Sequence, residues 1–253
     1  MASYTWSKTL TDADSALPFF ATLHQGGAPQ NVFDRSSDKA ISNQDLPQNF
    51  VLSYIYELPF GKNKRFLSHG TLANEVVGGW SVSGIQRYES GQPIAFACAT
   101  GVPAYNDCIR YNQVPGQSLY SSAWSSGHFN PITDSAFNPA ALSDPNTAGN
   151  LAARGGAYAF GTIARVDGAV RMAPYLSEDF NLLKRTKITE GSDVLFQANF
   201  LNAFNRHVWN RPADLNIIDS AFGEVNYGNF STTGGGGYLL YPRRIQLQLK
   251  VEF

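Results

Sequence analysis

The last eleven residues, RRIQLQLKVEF, alternate without a break. Ile245, Leu247, Leu249, Val251 and Phe253 are apolar, and Arg244, Gln246, Gln248, Lys250 and Glu252 are polar or charged. A period of two places the first set on one face of a β-strand and the second set on the other. The same period runs through NFVLSYIYELPF, where Phe50, Leu52, Tyr54, Tyr56 and Leu58 share a face. In WSVSGIQRYESGQPI, Trp80, Val82 and Tyr88 oppose Ser81, Ser83, Arg87 and Glu89, and SYTWSKTL sets Tyr4 and Trp6 against Ser3, Thr5 and Ser7. PYLSEDFNLLKRTKI and SDVLFQANFLNAFNRHVW are joined by the tight turn TEGS, and in the second Val194, Phe196, Ala198 and Phe200 turn away from Gln197 and Asn199. The pattern predicts an all-β fold, an antiparallel meander of about six long strands near 2–9, 49–59, 79–96, 174–188, 193–208 and 243–253.

The connections carry a second signal. Residues 10–48, 97–173 and 209–242 form long polar stretches, whereas GKNKRFLSHGTLANEVVGG is short and TEGS very short. Compact soluble domains rarely hold structureless loops beyond about 12–15 residues. A transmembrane β-barrel alternates short periplasmic turns with long extracellular loops. With the last strand ending in the periplasm, all three long loops fall outside the cell. A soluble two-sheet sandwich also alternates, with its apolar face turned to a core. The loop asymmetry and the final strand favour the barrel. A charge facing lipid near the midplane costs about 2–4 kcal/mol, and the apolar face of the final strand carries none. Tyr4, Trp6, Phe60, Trp80, Tyr88, Trp209 and Tyr241, near strand ends, are expected to form interfacial girdles.

Composition narrows the function. In 253 residues the basic and acidic groups nearly cancel, for a formal net charge of −1, so no electrostatic case exists for nucleic acid. No run reaches the ~18 apolar residues of a membrane-spanning helix, which excludes a helical membrane protein but not a β-barrel, whose strands give no continuous apolar run. MASYTWSKTL lacks a basic n-region and an apolar h-region. It reads as a strand entered partway, so the sequence is expected to be a piece of a larger protein.

Cys98 and Cys108 close the short loop CATGVPAYNDC. A disulfide between them is expected, implying an oxidising, extracytoplasmic setting; two free loop thiols are the alternative. Two cysteines and the scattered His24, His69, His128 and His207 do not make a zinc site.

Other motifs carry no chemistry. Gly234 to Gly237 lack the Lys-Ser/Thr pair and helix of a phosphate loop. Asp12 and Asp14 have Ca²⁺-loop spacing without its downstream Gly and Glu. Glu178 and Asp179, adjacent on a strand, point to opposite faces and cannot act as an acid/base pair. Lys184, Arg185 and Lys187 sit near a periplasmic strand end, within reach of headgroups or lumen. No catalytic residue, cofactor or metal is expected, and the chain is not expected to be an enzyme. Tyr105, Tyr120, Trp124, Tyr158 and Tyr238 give the long loops aromatic surface for a ligand.

The ordered set FVLSYIYELPFGKNKRFL…VVGGWSVSGIQRYESGQPI, EDFNLLKRTKITEGSDVLFQANFLNAFNRHVW and PRRIQLQLKVEF resembles the barrel of TonB-dependent outer-membrane receptors, especially the Oar-like group of acidobacteria. The resemblance covers most of the strand-forming chain and is weakest in the loops. It implies active uptake across the outer membrane of a Gram-negative bacterium, energised by TonB through a plug domain and TonB-box. Neither these nor the N-terminal carboxypeptidase-regulatory-like domain of Oar-like members is recognisable in residues 1–253. Family barrels have about twenty-two strands and the smallest outer-membrane barrels about eight, so six strands are expected to be the C-terminal part of the barrel. Ile245, Leu247, Leu249, Val251 and Phe253 resemble the terminal signal read by the barrel-assembly machinery, with Val251 where an aromatic is often found. The implied partners are outer-membrane lipid, that machinery, TonB, and a small-molecule, glycan or peptide substrate, metal chelates included. The competing expectations are a non-transporting adhesive or structural outer-membrane protein and a secreted glycan-binding β-sandwich.

Overall fold

The computed structural model describes residues 1–12, 29–31, 33–61, 64–66, 76–99, 109–209, 211–212, 214–225 and 242–253. Six strands form one antiparallel sheet in sequence order: β1 (Ala2–Trp6), β2 (Gln48–Glu57), β3 (Trp80–Glu89), β4 (Tyr175–Thr189), β5 (Ser192–Leu201) and β6 (Arg244–Glu252). Among the described residues the outermost strands β1 and β6 are each paired on one side.

Register turns the alternation of each strand into two continuous faces. Directly opposed residues share a face. Tyr4, Phe50, Tyr88 and Leu176 form one row, and Leu182, Ala198 and Leu247 form part of another on the same side. Among the paired residues of that face only Glu178 and Lys184 are charged. The opposite face carries Glu57, Arg87, Glu89, Asp179, Arg185, Lys187, Asp193, Arg244, Lys250 and Glu252. Among the described residues no second sheet covers the apolar side, where Leu247 is 66% and Leu249 69% exposed. In a sandwich those side chains would be the core.

The buried core lies at one end of the sheet, in the last residues of the run read as a strand over 79–96 and in two segments read from sequence as loops. Ile94, Phe96, Tyr111, Phe137, Val170, Leu215, Phe222 and Val225 are buried together. Phe96 meets Phe137 edge-on at 5.5 Å and stacks on Phe222 at 6.3 Å. Backbone hydrogen bonds tie distant segments into this cap, among them Ala97 N–H to Leu215 O (3.2 Å) and Ala136 N–H to Gly223 O (2.9 Å). Two short helices, α1 (Ser122–Ser126) and α2 (Ala148–Ala153), are too short to stand on propensity. Their N-caps Ser121 and Thr147 satisfy the first-turn N–H groups of Trp124 and Asn150.

Three strands are shorter than their sequence patterns, and the run expected over 2–9 ends at Trp6. The run expected over 79–96 ends at Glu89, because the chain leaves the sheet to enter the cap. A Cβ on Gly91 would fall 1.7 Å from Met172 O, so only glycine permits this approach. Pro93–Ile94 then pairs with Asp167–Arg171. The run expected over 193–208 ends at Leu201, where Asn202 adopts φ 48°. The N–H of Asn202 donates to Asp179 Oδ1 (2.8 Å), which stabilises the reversal.

At the other end of the sheet, Gly79 precedes β3 with φ +73°, and an added Cβ would lie 2.1 Å from Arg185 O. Gly116, at φ +78°, has open space around that position. Both Gly→Ala changes meet the left-handed penalty of about 1–2 kcal/mol. Gly79→Ala must also displace backbone, so we expect it to destabilise by at least ~1 kcal/mol more than Gly116→Ala in denaturant unfolding; equal losses would disprove the close-approach argument.

Candidate functional site

The cap and the sheet end beneath it form the region able to meet a ligand. Asp34 accepts the Ser36 N–H (3.0 Å) and starts a 3₁₀ turn over Arg35–Asp38. Hydrogen bonds from Ser36 hold the Asp34 carboxyl below its ordinary value. The turn delivers Asp38 into the interior, with its side chain 1% exposed. There Arg110 Nη1 donates to Asp38 Oδ1 (2.8 Å) and Nη2 to Ser37 O (3.2 Å). The Gln30 amide bridges the same segments, its Oε1 accepting from Arg110 N–H and Gly161 N–H, each at 2.9 Å.

Two further arginines repeat the device. Arg165 donates to Asp38 O (2.9 Å) and Thr11 O (2.8 Å). Arg171 donates to Asp45 Oδ2 (2.6 Å) and to the carbonyls of Asp45 and Gly91, each at 3.1 Å. Three arginines of the second long connection thus clamp the first. Arg171 also fastens the cap at the point where β3 leaves the sheet. Buried ion pairs contribute little against an apolar alternative but cost much when one partner is removed. Their value here is to fix one arrangement of two otherwise polar segments. Tyr111 completes the packing, its hydroxyl donating to Asn216 Oδ1 (2.8 Å), and burial pushes its phenol above the ordinary value.

Below the cap, the polar face of the sheet carries Arg87 paired to Glu89, with the guanidinium 5.8 Å from the centre of the Tyr175 ring. Asn181 and Gln197 both donate to Asn199 Oδ1 farther along. At the far end Arg185 bonds Asp193 (2.8 Å) and Glu252 (3.4 Å), and Lys250 pairs with Glu252 (2.7 Å). Charged and amide groups thus satisfy one another in rows across the strands. Ile55 and Ile85 interrupt this face, 82% and 61% exposed.

The apolar face ends in aromatic rows. Toward the cap are Trp6, Tyr4, Phe50 and Tyr88, the last two stacked at 6.2 Å. Toward the short turns are Tyr56 and Trp80, with Phe60 against Phe66 at 6.0 Å. Lys184 shares the apolar face with Trp80. Its ammonium lies 5.3 Å from the Trp80 ring and donates to Val76 O (3.0 Å) and Gly78 O (2.9 Å). A cation with a long apolar stem can sit there because its head reaches the end of the sheet.

Trp209 stands apart from these rows and packs edge-on against Phe129 at 5.4 Å in the cap. Tyr241 lies outside the described residues. Cys98 is disulfide-bonded; Cys108 lies outside the described residues, as do Asp14, Tyr105, Gly234 to Gly237 and Tyr238. Tyr120 and Trp124, expected as ligand-binding surface, are engaged in the cap. Tyr120 Oη donates to Arg171 O (2.8 Å), and Trp124 packs on Phe129 at 4.9 Å. Asp12 pairs with Arg35 at 3.7 Å. Glu178 and Asp179 face opposite sides of the sheet. Among the described residues no group of three or more His, Cys, Asp or Glu is placed to hold a metal ion. Sequence reasoning missed the clamp. Its signal was the set of charges at 38, 45, 110, 165 and 171 within long polar connections, since charges imply partners when such segments fold.

Residues 1–246 match the family model of an outer membrane beta barrel domain. The chain belongs to that family. Comparison with curated proteins and with solved structures found no match. The protein is located in the outer membrane, and the two faces of the sheet acquire their meaning from that position. The apolar face, with its aromatic rows, lies against lipid, and the polar face looks into the barrel. The family also explains the exposed Leu247 and Leu249, because in lipid this side needs no second sheet. No helix among the described residues is long and apolar enough to cross a membrane.

Asp38→Ala leaves Arg110 buried without its carboxylate, a loss of about 3–5 kcal/mol by the usual cost of breaking such pairs. We expect the variant barrel to assemble while its cap becomes sensitive to protease added to intact cells. A cap as resistant as the unsubstituted one would show that the clamp does not hold it.

Proposed function

We propose that the chain is the C-terminal barrel segment of a TonB-energised outer-membrane receptor of the Oar-like group, importing a substrate still to be identified. The observation that carries this reading is the exposure of Ile55 and Ile85 on the polar face. An open aqueous pore favours polar side chains throughout its lining. Aliphatic groups among amide and charged rows suit a wall that meets a folded plug. Six strands with two single-paired edges also require further strands, since hydrocarbon offers the free backbone groups of an edge no partner.

In this reading the segment performs no chemistry. Work is supplied by TonB through the plug, and the cap selects what reaches the barrel mouth. Ile245, Leu247, Leu249, Val251 and Phe253 present the terminal strand to the barrel-assembly machinery. Carbohydrates, peptides and metal chelates remain the substrate classes suggested by the resemblance alone. The second reading, a non-transporting adhesive or structural barrel, draws support from the cap, whose core and arginine clamp build a stable outer surface.

Capture of the full-length gene product on the purified periplasmic domain of TonB separates the two. Retention that is lost when the N-terminal TonB-box is deleted supports transport. A full-length reading frame with neither plug nor TonB-box, or a product that is not retained, contradicts it.

A further inference from the structure

The segment that follows β5 crosses the lipid-facing side of the sheet at its cap end. Asn202 and Asn205 both adopt left-handed backbone, φ 48° and 52°, a conformation asparagine tolerates. Asn202 locks the turn, its Oδ1 accepting the Arg206 N–H (2.7 Å) and its Nδ2 donating to Arg206 O (3.0 Å). Phe204, 60% exposed, meets Phe180 edge-on at 5.8 Å, which fixes the turn to the apolar face. The Arg206 guanidinium lies 5.6 Å from the centre of the Phe204 ring and donates through Nε (3.3 Å) and Nη2 (3.2 Å) to Glu178. Glu178 is 1% exposed, whereas Arg206 is 45% exposed. Beside them, the backbone N–H of Arg243 donates to Asn205 Oδ1 (3.1 Å), bringing a second, exposed arginine to the same turn. Arg243 has no ion-pair partner among the described residues.

We propose that this turn binds a phosphate group of a glycolipid in the outer leaflet, with Arg206 and Arg243 as its cationic ligands. A buried carboxylate on a lipid-facing surface is costly unless paired, and Glu178 has its pair in Arg206. Two of the five guanidinium N–H donors are committed to Glu178, and a half-exposed fork retains others. Glu178 therefore acts as a positioning residue, orienting Arg206 over Phe204. The single carboxylate offsets one of the two arginines, leaving the turn net positive. Phe180, Phe200 and Ile245 lie on the same face below the turn, so it stands at the margin where acyl chains give way to headgroups. Phosphate recognised at that depth, beside a guanidinium set over the Phe204 ring, belongs to a lipid rather than to a soluble ion. The inference rests on outer-membrane location and not on the transport reading.

The test titrates the full-length protein in neutral detergent micelles with bisphosphorylated lipid A, scored by native mass spectrometry. Arg243→Ala leaves the Glu178 pair intact, and Arg206→Lys keeps the charge while losing the planar fork. The double variant is expected to bind roughly tenfold more weakly than the unsubstituted protein, with unchanged strand content by circular dichroism. Dephosphorylated lipid A is expected to bind the unsubstituted protein with a similar loss. Equal binding of the double variant, or of dephosphorylated lipid A, overturns the site. Inorganic phosphate binding as tightly as lipid A overturns the lipid as its source.

Discussion

In hydrocarbon no water completes a hydrogen bond, so every backbone N–H and C=O of a crossing segment needs a protein partner. The rest of this structure depends on that requirement. It makes the crossing elements strands of one sheet, β1 through β6, each registered against its neighbour. Register then aligns the side chains of all six into two faces of opposite character. A slip of one residue in β6 would send Gln246, Gln248 and Lys250 to lipid and Leu247 and Leu249 into the barrel. Glu178 and Lys184, the charged residues on the lipid face, lie toward opposite ends of β4. Each has a specific answer there, Arg206 for Glu178 and the Val76 and Gly78 carbonyls for Lys184.

The cap obeys a different rule. Its segments lie outside the lipid and could satisfy their backbone with water. They fold because a modest apolar set, with Phe96, Phe137 and Phe222 at its centre, is enclosed by capped helices and a buried arginine clamp. Arg171 joins the two regimes, since one guanidinium reaches both Asp45 and the Gly91 carbonyl where β3 leaves the sheet. The cap is thereby anchored to the barrel rather than tethered to it. On the proposed transport reading, an anchored cap keeps the barrel mouth at a fixed shape while a plug moves beneath it.

The sheet was legible in the sequence because strand periodicity is local. Alternation in 243–253 or 49–57 needs no knowledge of distant residues, and loop asymmetry supplied the order and sense of the strands. The ends of β3 and β5 were less legible. Gly91 and Asn202 terminate them through contacts with Met172 and Asp179, which sequence spacing does not reveal. The cap was not legible at all. Its core draws single apolar residues from two separate connections, so no window of the chain shows a period. The clamp joins Asp38 to Arg110 and Arg165, 72 residues away in the first case. Trp209 illustrates the same limit. Its position near a strand end suggested an interfacial girdle, and only the tertiary path that brings Phe129 beside it assigns it to the cap.

The two-faced sheet is the central claim, and alternating accessibility along β6 tests it most directly. Spin labels placed singly at residues 245 to 250 of the full-length protein, reconstituted in lipid bilayers, report collisions with oxygen from the bilayer and with a water-soluble nickel chelate. The account predicts that oxygen dominates at 245, 247 and 249, with lower oxygen accessibility at 246, 248 and 250 in a strict period of two. Labels at 247 and 249 that collide chiefly with the nickel chelate, or a profile without that period, would contradict it.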